Sequence, residues 1–542
     1  MKKYLKKIAY FLTVVIVFGN SCADSFLNLE DTSTLKPENF PTKVEDLEYL
    51  ITSCYVFVSD FNLYGKRVMA KGSFVTDHTV DLAFTEFPEW NTMATNNLSS
   101  DNEWLETLWF GYYKMVNASN LVLEVAGRFD VENMDQKSQT RFEQITGEAY
   151  FWRAWAYQQL LQFFGEGYPC NGDGGKQGVV LFTENQTSIQ AMNIPRSTVD
   201  EVYTQVISDY KAAESRLPDK WDNITDMSRP TKYSVKSFLG QVYLFQGNYD
   251  LTKTELKNVI DNSGKSLLPF DDYAKMFNED QIRFNNESIQ EINFKDHSAS
   301  GWGNWGGGEG SMHAMVISLC VEHENGDPDQ VGWSNLFFHD ANIDRFGNDP
   351  RLHIAALEPG TKLQFGNEEV TVMKYIIDKD DYDVRGWAVK KYNPLTYSTY
   401  AVEVSVGINM YLMRLADVYL MYAEACQATN DEGNAREYLN RVRRRAFNQP
   451  VDTPSGVDIT SSGTQLRDDI REERFLELCA EGIQHWVDVC RWKTLDKEIN
   501  QWYKMTAVGP PVYSSSSLYY PIPKAEMERN TAMTQSEGYI NR

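Results

Sequence analysis

The sequence predicts a mostly α-helical fold: tetratricopeptide-like helix pairs forming a scaffold, with long irregular loops and a few short strands. Three observations predict it. Long stretches carry apolar residues at a 3.6-residue period between recognisable helix caps. Two stretches, 231–262 and 410–447, each read as helix, tight turn, helix, around Gly247-Asn248 and Gly433-Asn434. Between them, 296–404 is rich in Gly, Asn, Asp and Trp and then in β-branched and aromatic residues, the composition of loops with short strands.

Composition bounds the function classes. Of 542 residues, 42% are hydrophobic and 24% charged, ordinary globular usage that excludes a disordered or collagen-like chain. No run of 18 or more apolar residues occurs, which excludes a multi-span helical membrane protein. The net charge is −24, from 52 basic and 76 acidic residues, the wrong sign for a nucleic-acid binder. Aromatics are high at 13%.

The N-terminus has its own chemistry. Lys2, Lys3, Lys6 and Lys7 form a basic start, and Ile8 to Phe18 an apolar core too short to span a bilayer, so 1–21 reads as a signal peptide. Gly19, Asn20 and Ser21 lead directly to Cys22, the layout of a lipoprotein signal. The thiol of Cys22 would take a diacylglycerol, and two or three acyl chains anchor a protein stably. Gly19 and Asn20 depart from the usual residues there, and an ordinary cleaved signal with Cys22 as a bystander is the other reading; we expect lipidation. Removing 1–21, which holds four lysines and no acid, leaves a charge of −28. We divide the remainder, 22–542, into an N-terminal helical part (22–295), a loop-rich insertion (296–404) and a C-terminal helical part with its tail (405–542).

Along that chain, 142–164 is a long helix with an aromatic face; Trp152, Trp155 and Tyr157 are expected to pack on neighbouring helices. Segment 198–217 opens on the capping box Thr198-x-x-Glu201 and stops before Pro218. The pairs 231–246/250–262 and 410–429/435–447 follow, and 509–542 reads as irregular coil. Cys54, Cys170, Cys320, Cys426, Cys479 and Cys490 form no C-x-x-C pair, so we expect no structural zinc; Cys426, Cys479 and Cys490 stand in helical-looking apolar segments, where buried free thiols are expected over disulfides, the other reading. The acidic run Asp378, Asp380, Asp381 and Asp383 lacks the glycine and glutamate positions of an EF-hand and reads as a solvated turn.

Seven motifs, in order, now resemble one family. They are Cys22-Ala-Asp-Ser-Phe-Leu, LWFGYYKMVNASNLVLE (108–124), GEAYFWRAWAYQQLLQFFG (147–165), PRSTVDEVYTQVISDYKAA (195–213), MRLADVYLMYAEA (413–425), REERFLELCAEGIQHWVDVCRWK (471–493) and YPIPKAEMERN (520–530). Together they are similar to the SusD/RagB-like outer-membrane lipoproteins of the Bacteroidetes. The resemblance implies four tetratricopeptide-like helix pairs with loops carrying the binding face. It implies a lipid-anchored protein on the exterior of the outer membrane, partnered by a SusC-like TonB-dependent barrel transporter. Such a protein captures an oligosaccharide, or in some members a peptide, needs no cofactor and is not an enzyme.

The residues carry the same chemistry. Flat aromatics stack on the C–H faces of sugar rings while Asp, Asn and Arg fork to hydroxyl pairs. Two loop regions offer this. In 76–97 stand Asp77, Trp90 and Asn91; in 300–310, Trp302 and Trp305 flank Asn304 among glycines. A tryptophan among glycines has no local helix face to pack on, so it is either a ligand contact or reaches a distant core or interface. Trp333 is a lesser candidate. The competing readings are a surface glycoside hydrolase and a scaffold that binds only protein. The acids Glu472, Glu473, Glu477 and Glu481 share a segment with Arg471, Arg474 and Arg491, which points to a charge network tying helices together rather than to a catalytic pair. The seven histidines show no H-E-x-x-H spacing, and neither a P-loop nor a G-x-S-x-G elbow occurs.

Overall fold

The computed structural model describes residues 40–65, 68, 78–80, 89, 92–93, 95–186, 188–278, 280–295, 310–330, 334, 336–374, 385–395, 406–501 and 513–539. By internal contacts the chain divides into two units, Met1–Leu47 and Glu48–Arg542. In the first, residues 40–47 are described, and there the Asp46 carboxylate accepts from Thr42 N at 2.9 Å at the start of helix α1 (Val44–Ser59). All that follows concerns the second unit.

Its frame is a succession of helices: α2 (Glu103–Ala126), α3 (Gln136–Phe164), α4 (Val199–Glu214), α5 (Lys232–Phe245), α6 (Tyr249–Asn262), α7 (Leu415–Ala428), α8 (Glu432–Ala446), α9 (Gly463–Leu478) and α10 (Gln484–Arg491). From α2 to α8 each packs on the next, and α9 packs on both α7 and α8. The fold is mostly α with few short strands, as the periodicity predicts. Caps set the boundaries. Asn102 and Asp135 cap α2 and α3 with side-chain acceptors, and α4 opens on the Thr198/Glu201 capping box read from the sequence. Gly247, at φ +74°, supplies the left-handed turn between α5 and α6, and Asn248 caps α6.

The second pair departs from expectation in two ways. Its turn lies at Asn430, φ +61°, so Gly433 and Asn434 sit in the first turn of α8 rather than between helices. Residues 410–414 begin no helix: they form strand β10 (Met410–Arg414), antiparallel to β2 (Ser288–Ile292) and buried along its whole length. Strand pairing there outweighs a run whose apolar residues also suit a helix. Because α6 packs directly on α7, the chain between them leaves the frame and returns, with β2 and β10 paired at the two ends of the excursion. Two four-stranded antiparallel sheets belong to it, one of which takes its edge strand β1 from upstream of α2. One is ordered β1 (His78–Val80), β5 (Leu336–Phe338), β9 (Ala388–Val389), β6 (Ala356–Leu357). The other is ordered β4 (Pro328–Gln330), β3 (Cys320–Glu322), β8 (Glu368–Val372), β7 (Lys362–Phe365). In the tail, expected as coil, Lys524–Arg529 is a short helix.

Among the described residues, aromatic side chains pack at helix interfaces. Trp152, Trp155 and Tyr157 are buried as expected; Trp152 meets Tyr55 edge-on at 5.3 Å, and Trp155 meets Trp152 at 5.6 Å. Among the described residues the six cysteines form no disulfide, four of them are buried, and burial pushes the Cys54 thiol up to about 12. Among the described residues no helix is long and apolar enough to cross a membrane.

Buried ion pairs complete the frame. Arg153 on α3 grips Asp209 on α4 through two bonds of 2.6 and 2.8 Å. Arg196 reaches the Phe164 carbonyl, Glu166 and Ser536, joining the end of α3 to the tail. Glu424 on α7 accepts from Arg491 on α10 at 2.5 and 2.7 Å and from Trp492 Nε1 at 3.0 Å. Burial would raise this carboxyl, but Arg491 outweighs it and holds the group at about 2, against an ordinary 4.5. A depressed carboxylate stabilises above its unfolded pKa and loses that contribution as pH falls through the folded one. Glu424→Gln should therefore cost about 3 kcal/mol near neutrality. The gap to wild type in denaturant titrations should close between pH about 4.5 and about 2. A gap independent of pH would contradict the pairing.

Candidate functional site

The sequence-predicted contacts Asp77, Trp90, Asn91, Trp302, Asn304, Trp305 and Trp333 lie outside the described residues, as do Cys22 and the acidic turn 378–383. The described residues that flank the two loop regions are nonetheless well placed. Asn102 uses both ends of its amide. Its Oδ1 accepts from Trp104 N and Leu105 N to cap α2, while its Nδ2 donates to Glu89 O at 3.1 Å and Thr92 Oγ1 at 2.8 Å. The residues on either side of Trp90-Asn91 are thus bound to the start of one helix. Gly65 O, just ahead of the segment containing Asp77, accepts from Met312 N at 2.9 Å and from Ser311 Oγ at 3.4 Å. Ser311 follows the Gly- and Trp-rich loop and bridges to Val406, and Phe61, Met312 and Met315 bury together beneath this junction. β1, just after Asp77, pairs with β5 in the register His78↔Phe338.

At the other end of that loop, Lys295 stands on the rim of a cleft of ≈350 Å³ whose lining includes Tyr55, Trp152, Arg229 and Glu291. The cleft wall is ordered by charge. Glu148, fully buried, accepts from Tyr55 Oη at 2.5 Å and Arg229 Nη1 at 2.7 Å, and pairs with Arg141 at 3.1 Å. Burial, with the adjacent Glu148 charge, raises the Tyr55 phenol far above its usual range, so it remains a donor. Burial also raises the Glu291 carboxyl, although Asn409 Nδ2 and Phe284 N donate to it at 2.8 Å each. Fixed donors and acceptors beside aromatic rings suit recognition of a polar ligand. Among the described residues no group of three or more His, Cys, Asp or Glu is arranged to hold a metal ion.

The acidic segment forms the expected network, with partners that the sequence did not indicate. Glu477 pairs with Arg351, Arg414 and Arg445, and Glu481 with Lys391 and Arg414. Glu473 pairs with Arg351 and Glu472 with Arg345. Arg474 goes to Asp417 and Asp488 and Arg491 to Glu424 and Asp488, while the Arg471 guanidinium lies 4.9 Å from the Trp492 ring centre. The network therefore ties α9 to the excursion as well as to other helices.

Comparison with known proteins accords with this frame. A family model described as "Starch-binding associating with outer membrane" matches residues 25–244, and one described as "SusD family" matches residues 274–539. A SusD-like protein (P2) of Formosa agariphila is 25% identical over 99% of this chain and 100% of its own. Among solved structures, a protein titled "Laminarin binding SusD-like protein" aligns with a TM-score of 0.70 at 23% identity, covering 91% of this chain and 99% of that one. "Surface glycan-binding protein A" from Bacteroides fluxus aligns with a TM-score of 0.69 at 18% identity over the same shares. With both halves matched in order by models of one family, and a helical frame shared along nearly its whole length, the chain belongs to the SusD/RagB-like family.

Proposed function

We propose that this protein is a cell-surface glycan-binding lipoprotein that captures an oligosaccharide and delivers it to a partner TonB-dependent outer-membrane transporter, without catalysis. The observation that carries this reading is the match of 25–244 to the starch-binding, outer-membrane-associating family model. Relatives named for binding laminarin and surface glycans support it. Binding without turnover fits the acids of α9 and the turn after it, since Glu473, Glu477 and Glu481 are buried in ion pairs rather than facing each other across an open cleft. The anchor would be Cys22.

The test is calorimetric titration with starch-derived, laminarin-derived and other defined oligosaccharides, with product analysis of each mixture. Saturable binding with no shortened product is expected, together with fatty acid on Cys22 of the membrane-recovered chain and co-purification of a barrel. Turnover of a bound glycan would make the protein an enzyme instead.

The Asn102 geometry gives a sharper expectation. Asn102→Asp keeps the acceptor that caps α2, and the negative charge suits a helix N-terminus. It removes the Nδ2 donor that holds Glu89 and Thr92. Because the new carboxylate oxygen faces the Glu89 carbonyl in a buried place, stability should fall by about 1–3 kcal/mol, with the fold retained. Affinity for the bound oligosaccharide should fall several-fold; unchanged affinity would remove Trp90-Asn91 from the site.

A further inference from the structure

A second cleft, of ≈240 Å³, is lined in part by the loop between α4 and α5. Its lining includes Trp221, Tyr233, Phe284, Lys265, Ser288 and Glu291. Trp221 is fixed in place: its Nε1 donates to Pro230 O at 3.1 Å, and the Arg141 guanidinium sits 5.6 Å from its ring centre. Phe284 adopts φ +53°, a conformation that bulky side chains rarely take. Its N–H is held there by Glu291 Oε1 at 2.8 Å. Strain of this kind persists only where the surroundings enforce it, and it clusters at ligand sites. Glu291 is 2% exposed and borders both this cleft and the ≈350 Å³ cleft at Lys295, so the end of β2 walls the two clefts and then leads into the Trp302 loop.

From this geometry we infer that the Trp221/Tyr233/Phe284 cleft is a second saccharide subsite, taking a single sugar ring. Three aromatic side chains offer faces for ring C–H patches, and Ser288, Lys265 and Glu291 offer hydrogen-bonding groups for hydroxyls. The volume lies below the about 300–1,000 Å³ usual for drug-sized ligands, which fits one ring rather than a chain. Lys265 Nζ donates to Asn285 O at 3.2 Å, and the two lysines that line the cleft, Lys220 and Lys265, are matched by the carboxyl groups of Asp219 and Glu291, so no dominant positive charge selects an anion. The inference rests on the saccharide reading above for its ligand class, but not on the tryptophan loops for its location.

The experiment uses the full mature chain and an oligosaccharide from the set above that the wild type binds. In a Trp302→Ala/Trp305→Ala background, saturation-transfer NMR and calorimetry should detect a residual weak site. Adding Trp221→Ala with Tyr233→Ala should weaken that site at least tenfold. Phe284→Gly guards against misfolding, because glycine adopts the same φ without strain, and it should weaken the residual site while the chain still unfolds cooperatively. If no residual site exists, or if it survives all three substitutions unchanged, the second cleft is not a subsite and the primary saccharide reading stands. If the wild type binds nothing in the set, both readings fall.

Discussion

Replacing Glu477 by alanine should destabilise the protein by about 3–5 kcal/mol, the cost of removing one partner from a buried ion-pair network. The Glu477 side chain has no exposed surface and lies where four segments meet. Its Oε1 accepts from Arg414 Nη1 of β10 at 2.6 Å and from Arg445 Nη2 at the end of α8, and its Oε2 accepts from Arg351 Nη1 of the excursion at 3.0 Å. Its main-chain oxygen accepts from Lys391 Nζ at 2.9 Å. Burial would raise this carboxyl, and Arg445, Arg414 and Arg351 together overcome that and hold it well below the carboxylate range. Alanine leaves three guanidiniums in the interior with only Glu287, Glu473, Glu481 and Asp349 to answer them. Against a total stability of about 5–15 kcal/mol for a typical domain, that loss is severe. Glu472→Ala is the control, because its pair with Arg345 is 43% exposed on the glutamate side and should be worth about 1 kcal/mol or less. Denaturant midpoints read both. Equal, small losses for the two variants would mean that the network does not hold the excursion to the helices.

The same network shows what the sequence could and could not reveal. Arg153, Arg196, Arg414, Arg474 and Glu477 all stand in the motifs that resemble the family, and each proves to be a buried clamp between elements. The motifs therefore spell the frame, which is why helix order and fold class were legible from them. Their partners were not: Arg351 and Lys391 lie 126 and 86 residues from Glu477, beyond any helical spacing. The strand at 410–414 was hidden for the same reason, since β2, which turns it from helix to strand, lies more than a hundred residues upstream. The turn at Asn430 was misplaced onto Gly433 because glycine is the stronger local cue and asparagine the less frequent occupant of a left-handed position. For the site, composition singled out the tryptophans, while the flanking anchors Asn102, Gly65 and Ser311 carry no signal of their own. Asn102 reads as an ordinary helix cap until its second set of hydrogen bonds is seen.

Those tryptophans set the second large expectation. Trp302→Ala and Trp305→Ala should each weaken oligosaccharide binding about tenfold, about 1.4 kcal/mol apiece, and the double variant up to about a hundredfold where the two act independently. The expectation rests on the proposed role, in which an indole beside glycines, with no local helix face to pack on, offers its flat apolar face to a sugar ring. The folding cost should be small, in contrast with Trp152 or Trp155, whose rings are enclosed by Tyr55, Tyr64 and Tyr112. Alanine at either of those positions should cost about 3–5 kcal/mol of stability. The two classes of tryptophan thus predict opposite readouts: affinity lost with stability kept for the loop pair, stability lost for the buried pair. Calorimetric titration and thermal unfolding of all four single variants separate them. Intact affinity in both loop variants would place the glycan elsewhere on the molecule. A large stability loss in either would assign that indole to the interior.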